Sequence, residues 1–100
     1  MNKEKIWGAI AKQIYQLALD TYGIEAQKMM VFEEMSELQK ALCKHSRGKG
    51  SITAIAEEIA DVLVMLDQMI LYFEIEGCVE EFKRFKIARL KNRLEGRCAE

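Results

Sequence analysis

The chain has no proline, and only six of its 100 residues are glycine. Proline breaks the interior of a helix and glycine weakens it, so their scarcity favours long, uninterrupted helices. Runs of β-branched and aromatic residues between turn residues, which are typical of strands, are also lacking. Strong helix formers dominate instead. We therefore predict an all-α fold, with one domain over residues 1–100.

A charge excess and a cysteine framework are also missing. With 15 basic and 16 acidic residues the net charge is −1, which argues against a general nucleic-acid binder. Cys43, Cys78 and Cys98 are odd in number and widely spaced, so they match neither a disulfide framework nor a zinc motif and favour a cytoplasmic location. The most apolar stretch, residues 62–75, is short and interrupted by Asp67. We therefore expect neither secretion nor a membrane span.

The spacing of apolar residues predicts four helices. The first ends near residues 21–23, and the others cover about residues 24–44, 51–75 and 79–95. Ser51 is the expected N-cap of the third helix, and Gly77 is expected to end it. Four helices joined by short connections predict a four-helix bundle-like domain.

The third helix is apolar almost all the way round. A helix of this kind must be covered on every side. Three companion helices in a chain of 100 residues leave part of this surface for another copy. We therefore predict a homo-oligomer, a dimer or a tetramer, that associates through this central helix. Its apolar residues are Ile52, Ile55, Ile59, Val62, Leu63, Val64, Met65, Leu66, Met69, Ile70, Leu71 and Phe73.

Acidic residues are concentrated in the second and third helices. Glu58 and Asp61 are three residues apart, so their carboxylates project from one face of the third helix. On the second helix Glu34 and Glu37 have the same spacing, and Glu33 lies four residues before Glu37. Like charges at these spacings destabilise a helix by about 0.2–0.5 kcal/mol per pair. A positive counter-charge is therefore expected between the two helices.

A divalent metal ion is the counter-charge that this pattern favours. Carboxylates converging from two antiparallel helices form a hard, all-oxygen ligand set that suits Mg²⁺ or Mn²⁺ rather than zinc. The alternative is a set of solvated helix surfaces on which Glu37, for example, pairs with Lys40. A di-iron site requires an ExxH motif on each of two helices, and His45 lies outside any such motif. The predicted ligands are Glu34, Glu37, Glu58 and Asp61.

The order of these acids resembles a known family. Glu33-Glu34-x-x-Glu37, twenty residues and then Glu58-x-x-Asp61 is similar to the EExxE…ExxD signature of MazG-like nucleoside triphosphate pyrophosphatases. The likeness extends over most of the chain. It includes the segments Tyr22-Gly23, Ser36-Glu37-Leu38 and Ala60-Asp61-Val62-Leu63, and a basic last helix over residues 86–94.

The resemblance implies hydrolysis of an NTP or dNTP between the α and β phosphates, giving a nucleoside monophosphate and pyrophosphate. Glu34, Glu37, Glu58 and Asp61 would then hold Mg²⁺, for which Mn²⁺ is an expected substitute. Glu33 would position water or support the ligands, unless it is a plain surface charge. The alternative is a non-catalytic helical oligomerisation or interaction module, in which the acids bind a basic partner.

The last helix carries a stripe of cations. Lys86, Arg89 and Arg93 lie on one side of it, and guanidinium and ammonium groups bind phosphate oxygens well. Lys86 and Arg89 are therefore the predicted substrate-binding residues. The alternative is a solvated basic face that balances the acidic middle of the molecule. The aromatic residues of the first half, each either a core residue or a base-stacking surface, are Trp7, Tyr15, Tyr22 and Phe32.

Overall fold

The computed structural model describes residues 2–96, which form four helices and no strand. The helices are α1 (Lys3–Tyr22), α2 (Ile24–Ser46), α3 (Ile52–Phe73) and α4 (Glu76–Leu94). The prediction of an all-α, four-helix fold is therefore confirmed. None of these helices is both long and apolar enough to cross a membrane. Cys98 lies outside the described residues.

Side chains and backbone turns fix the starts of the helices. The Asn2 carboxamide oxygen accepts a hydrogen bond of 2.8 Å from the backbone N–H of Lys5, which caps α1. Ser51 caps α3 as predicted, because its hydroxyl oxygen accepts a hydrogen bond of 3.0 Å from the Ala54 N–H. Gly23, with a φ of 86°, makes the sharp turn from α1 into α2 in a conformation that L-residues rarely adopt.

The junction between α3 and α4 differs from the prediction. Gly77 was expected to end the third helix, but it lies in the first turn of α4, three residues after Glu74 has already turned the chain. Glu74 adopts the left-handed conformation, with a φ of 54°. The N–H groups of Glu74 and Ile75 donate hydrogen bonds of 3.2 Å to the carbonyls of Leu71 and Ile70. This Schellman motif ends α3 without glycine, so the prediction for Gly77 was wrong.

The interior is centred on the antiparallel pair α2 and α3. These two helices share the largest contact, α1 packs mainly on α3, and α4 contacts α3 alone among the described helices. Leu19 of α1 and Met65 of α3 are buried, together with Gln27 and Gln68. The Gln27 amide donates a hydrogen bond of 2.8 Å to the carboxamide oxygen of Gln68, so each buried amide has a partner.

A single chain leaves much of its apolar surface uncovered. Its accessible surface is 8106 Å², whereas a compact monomer of its mass would expose about 5,800 Å². The radius of gyration is 16.9 Å, against about 13 Å for a compact domain of this length. Exposed large apolar residues occur on every helix, and α4 has no buried residue.

Candidate metal centre

Three carboxylates meet where α2 passes α3. Glu34 of α2 lies opposite Glu58 and Asp61 of α3, and one oxygen from each of them lies within 4.8 Å of the others. Glu34 and Glu58 are half-buried, and Asp61 is exposed. We call these three residues the acidic trio. The spacing of three residues in α3 places Glu58 and Asp61 on the same side of that helix, facing α2.

No positive group neutralises the acidic trio within residues 2–96. None of its carboxylates forms an ion pair or a hydrogen bond there. Desolvation raises the pKa of Glu34, and the charges of Asp61, Glu33, Glu58 and Glu37 raise it further. Desolvation, followed by repulsion from Asp61, Glu37 and Glu57, likewise raises the pKa of Glu58. Both glutamates therefore hold a proton more readily than a free carboxyl group does.

Glu37 and Glu33 lie beside the acidic trio rather than within it. The Glu37 carboxylate is half-buried and pairs with the Lys40 ammonium at 3.5 Å, although its charge still affects Glu34 and Glu58. Glu33 is exposed and acts on the pKa of Glu34 through its charge. Of the four predicted ligands, the structure brings three together and places Glu37 next to them.

The donor set suits a hard divalent cation. The acidic trio supplies only oxygen atoms, and these have no other partner among the described residues. Mg²⁺ prefers an octahedron of oxygen ligands that usually includes several waters. Three carboxylates that each supply one oxygen therefore leave positions for water and for substrate phosphates. Such an ion would remove the repulsion that raises the pKa of Glu34 and Glu58.

Lys86 and Arg89 are not brought to the acidic trio by the fold of this chain. Both are on α4, which contacts neither α1 nor α2. The Arg89 guanidinium carbon lies 6.0 Å from the centre of the Phe85 ring, on the same helix. Its Nε atom is buried and has no hydrogen-bond partner. Neither cation is among the groups that affect the pKa of Glu34 or Glu58.

The described cavities lie away from the acidic trio. The larger one, about 680 Å³, is a cleft between α1, the end of α3 and the start of α4. Trp7 and Tyr15 line it, and the Tyr15 hydroxyl donates a hydrogen bond of 3.5 Å to Asp67. A second cavity of about 270 Å³ lies on the outer side of α2. Tyr22 and Phe32 are exposed, so neither belongs to the core of this chain.

The hydrogen-bonded pair of buried amides, Gln27 and Gln68, was not predicted from the sequence. Gln68 lies in the most apolar helix, between Met65 and Met69. Its side-chain amide also donates a hydrogen bond of 3.8 Å to the Met65 sulfur. A polar residue on the inner side of an apolar helix signals a buried partner. This signal was present for Gln68, whereas nothing in the sequence of α2 singled out Gln27.

Comparisons of the chain with protein families, with curated proteins and with solved structures find no match. The likeness to MazG-like pyrophosphatases therefore depends on the residues of this chain alone. The geometry of the acidic trio and the spacing of its residues are the observations on which a function can be argued.

Proposed function

We propose that the protein is a magnesium-dependent nucleoside triphosphate pyrophosphohydrolase, which converts an NTP or dNTP to the monophosphate and pyrophosphate. The observation that carries this proposal is the acidic trio, in which three unpaired carboxylates from two helices converge with raised pKa values for Glu34 and Glu58. Unpaired, partly desolvated carboxylates are costly unless a cation is bound, and carboxyl groups whose pKa is raised by burial and like charges are found at functional sites.

The reaction breaks one phosphoric anhydride bond with water. The water oxygen joins one phosphorus atom of the α–β bridge, the bridging oxygen leaves with the other phosphate, and the water gives up a proton. A bound Mg²⁺, or Mn²⁺ in its place, supplies charge neutralisation at the phosphate oxygens. Glu34, Glu58 and Asp61 would hold this ion, and Glu37, released from Lys40, is the fourth proposed ligand.

Two further roles belong to this proposal. Glu33 is exposed next to Glu34, and we assign it to orienting the attacking water or supporting the ligands. Lys86 and Arg89 remain the proposed phosphate contacts. Because α4 contacts only α3 within this chain, these cations require either a movement of α4 or a second copy to meet a phosphate at the acidic trio.

The proposed enzyme is a homo-oligomer, a dimer or a tetramer, in the cytoplasm. Large apolar side chains exposed on all four helices support self-association. Cys43 and Cys78 are free and exposed, which suits a reducing compartment. The proposed partners are the nucleotide and further copies of the chain, with no role for a membrane or for direct nucleic-acid binding.

The test is the release of pyrophosphate from a panel of ribo- and deoxynucleoside triphosphates. The panel is run with Mg²⁺, with Mn²⁺ and with a chelator, on the wild type, on Glu58→Gln and on Glu57→Gln. Glu57→Gln is the matched control, because it makes the same chemical change one residue away and outside the acidic trio. We expect metal-dependent release that Glu58→Gln loses, by a factor of at least about 100, and that Glu57→Gln keeps.

Retained turnover in Glu58→Gln would remove the metal-site assignment. If no nucleotide releases pyrophosphate while circular dichroism shows an intact helical fold, the non-catalytic interaction module becomes the better proposal. Titration with Mg²⁺ separates the two cases further, since a module that binds a basic protein partner has no need of a carboxylate-dependent metal site.

A further inference from the structure

α3 carries an apolar stripe along the side that faces away from α2. Successive residues of the stripe alternate between spacings of four and three, which is the heptad pattern of a helix that packs along a partner helix. Ile52 is 68% exposed and Leu63 is 54% exposed, and only the last residue of the stripe is half-buried. We call this stripe the α3 seam. Its residues are Ile52, Ala56, Ile59, Leu63, Leu66 and Ile70.

Two other sides of α3 already have partners within the chain. The side with Glu58, Asp61 and the buried Met65 faces α2, about 180° around the helix from the α3 seam. On a third side Asp67 accepts a hydrogen bond from Tyr15 of α1. Since α4 contacts α3 only slightly, the described chain leaves most of the α3 seam open.

We propose that the α3 seam pairs antiparallel with the α3 seam of a second copy, with the two-fold axis level with Asp61. The spacings read the same from either end of the seam, which is symmetric about position 61. A two-fold axis there places Ile59 opposite Leu63 of the other copy. It also places Ile52 opposite Ile70, and the small Ala56 opposite the large Leu66. A surface that is complementary to itself in this way is what a two-fold interface requires.

The flanks of the seam also favour a helix of the same kind as partner. The positions beside it include Thr53, Ile55, Ala60 and Val62, and Asp67 is the only charged residue among its flanking heptad positions. A partner selected by charge would need oppositely charged side chains at these positions, whereas a second apolar seam needs only side chains of matching size. The pairing therefore selects another copy of this chain through shape and burial.

The uncovered surface is large enough for such a dimer. The chain exposes 8106 Å², roughly 2,300 Å² more than a compact monomer of the same mass. A standard stable interface removes about 800 Å² from each partner. The exposed stripe of α1, formed by Ile6, Ile10, Ile14 and Leu17, adds apolar surface on the helix that packs beside α3.

Cysteine cross-linking tests this register. In a background with Cys43, Cys78 and Cys98 replaced by serine, Ile59→Cys and Leu63→Cys are made separately and then refolded together. A disulfide forms only when the two Cα atoms lie within about 7 Å. We expect cross-linked dimers from the mixture and from neither variant alone, because the antiparallel register places position 59 opposite position 63. Cross-linking of each variant with itself would show a parallel pairing and overturn the proposal.

A second measurement tests the surface independently of the cysteines. Leu63→Glu places a charge at the centre of the interface, and Ile87→Glu makes a comparable change on the exposed α4 as a control. Sedimentation equilibrium should show a dimer dissociation constant at least about 100-fold larger for Leu63→Glu and unchanged for Ile87→Glu. If both variants self-associate as strongly as the wild type does, the proposed pairing is overturned.

The register rests on the self-association proposed above, but not on the hydrolysis of nucleotides. A wild-type chain that sediments as a monomer would contradict self-association and the register together. An oligomer without the cross-link between positions 59 and 63 would contradict the register alone. If the wild type releases no pyrophosphate from any nucleotide, self-association and the register are both unaffected.

Discussion

At the residue scale, the acidic trio makes the protein sensitive to pH. Burial and like charges raise the pKa of Glu34 and Glu58 above that of the unfolded chain. Between the ordinary and the raised pKa, the folded chain therefore binds more protons than the unfolded one, so stability falls as pH rises through that interval. Above the raised pKa the full cost of the charged carboxylates is present, and below the ordinary pKa it is absent.

We therefore expect the metal-free wild type to lose thermal stability more steeply than Glu58→Gln does, as the pH rises through the interval between the ordinary and the raised glutamate pKa. The thermal midpoint is measured by circular dichroism, in the presence of chelator, at a series of pH values across this interval. Glu81→Gln serves as the control, since Glu81 is exposed on α4 and is not among the groups that affect the pKa of Glu34 or Glu58. Parallel curves for the wild type and Glu58→Gln would show that the carboxylate does not titrate differently in the folded chain.

The same residues predict the response to metal. Asp61→Asn should leave the chain folded and raise its thermal midpoint in chelator, because one repelling charge is removed. Mg²⁺ should raise the midpoint of the wild type at neutral pH and raise that of Asp61→Asn much less, since an ion that binds only the folded state stabilises it. A shift of equal size in both proteins would place the bound ion elsewhere.

At the element scale, the turn between α3 and α4 rests on one residue in an unfavourable conformation. Glu74 has a positive φ without being glycine, and the left-handed region costs an L-residue roughly 1–2 kcal/mol. Glu74→Gly is expected to increase the free energy of unfolding by about 0.5–1 kcal/mol, since glycine adopts this conformation freely but loses more entropy on folding.

Urea unfolding of Glu74→Gly and of Ala60→Gly measures this effect. Ala60 lies in the middle of α3, so glycine there should destabilise the chain by about 1 kcal/mol. The opposite signs of the two substitutions identify the left-handed turn as the cause. A loss of stability in Glu74→Gly would mean that the glutamate contributes more than its backbone conformation costs.

The two buried amides give a second prediction for the elements. Gln27→Leu and Gln68→Leu each leave one buried amide without its partner, which costs about 1–3 kcal/mol. The double variant should lose less than the sum of the two single variants, since it leaves no unpaired amide at that position. A double-mutant cycle in urea measures the difference, and strict additivity would show that the amides do not interact.

Most of the elements were predictable because their signals are local. Ser51 as the cap of α3 and the end of α1 near Gly23 follow from residue types whose backbone preferences act within one turn. The junction at Glu74 was not predictable in this way, because a Schellman motif depends on two backbone hydrogen bonds that a non-glycine residue can also provide. Sequence reasoning placed the stop at Gly77, which is three residues too late.

The candidate site was predictable in part. The spacing of three residues identified Glu58 and Asp61 as a pair on one face, and the matching motif on α2 supplied Glu34. The separation of Glu37 from the acidic trio was not predicted, because it depends on how α2 is rotated against α3 and on the ion pair with Lys40. The position of Lys86 and Arg89 depends on the direction of α4, which the local sequence does not fix.

At the scale of the whole molecule, stability should depend on protein concentration. A chain with a large uncovered apolar surface is stabilised when copies associate, and the thermal midpoint of an associating protein rises with its concentration. We expect the midpoint of the wild type to rise over about a hundredfold range of concentration, and that of Leu63→Glu to stay nearly constant. A wild-type midpoint that does not change would mean that the folded chain is a monomer in this range.

The hydrogen bond between Gln27 and Gln68 requires the same alignment of α2 and α3 as the acidic trio does. Glu34 lies seven residues after Gln27 on α2, and Asp61 lies seven residues before Gln68 on α3. In antiparallel helices the two pairs therefore belong to one alignment, two turns or about 10.5 Å apart. A slip of α2 along α3 by a single residue would break the amide pair and separate the carboxylates at the same time. The neutral pair, which has no part in the proposed chemistry, thus sets the distance across which the charged residues can share an ion.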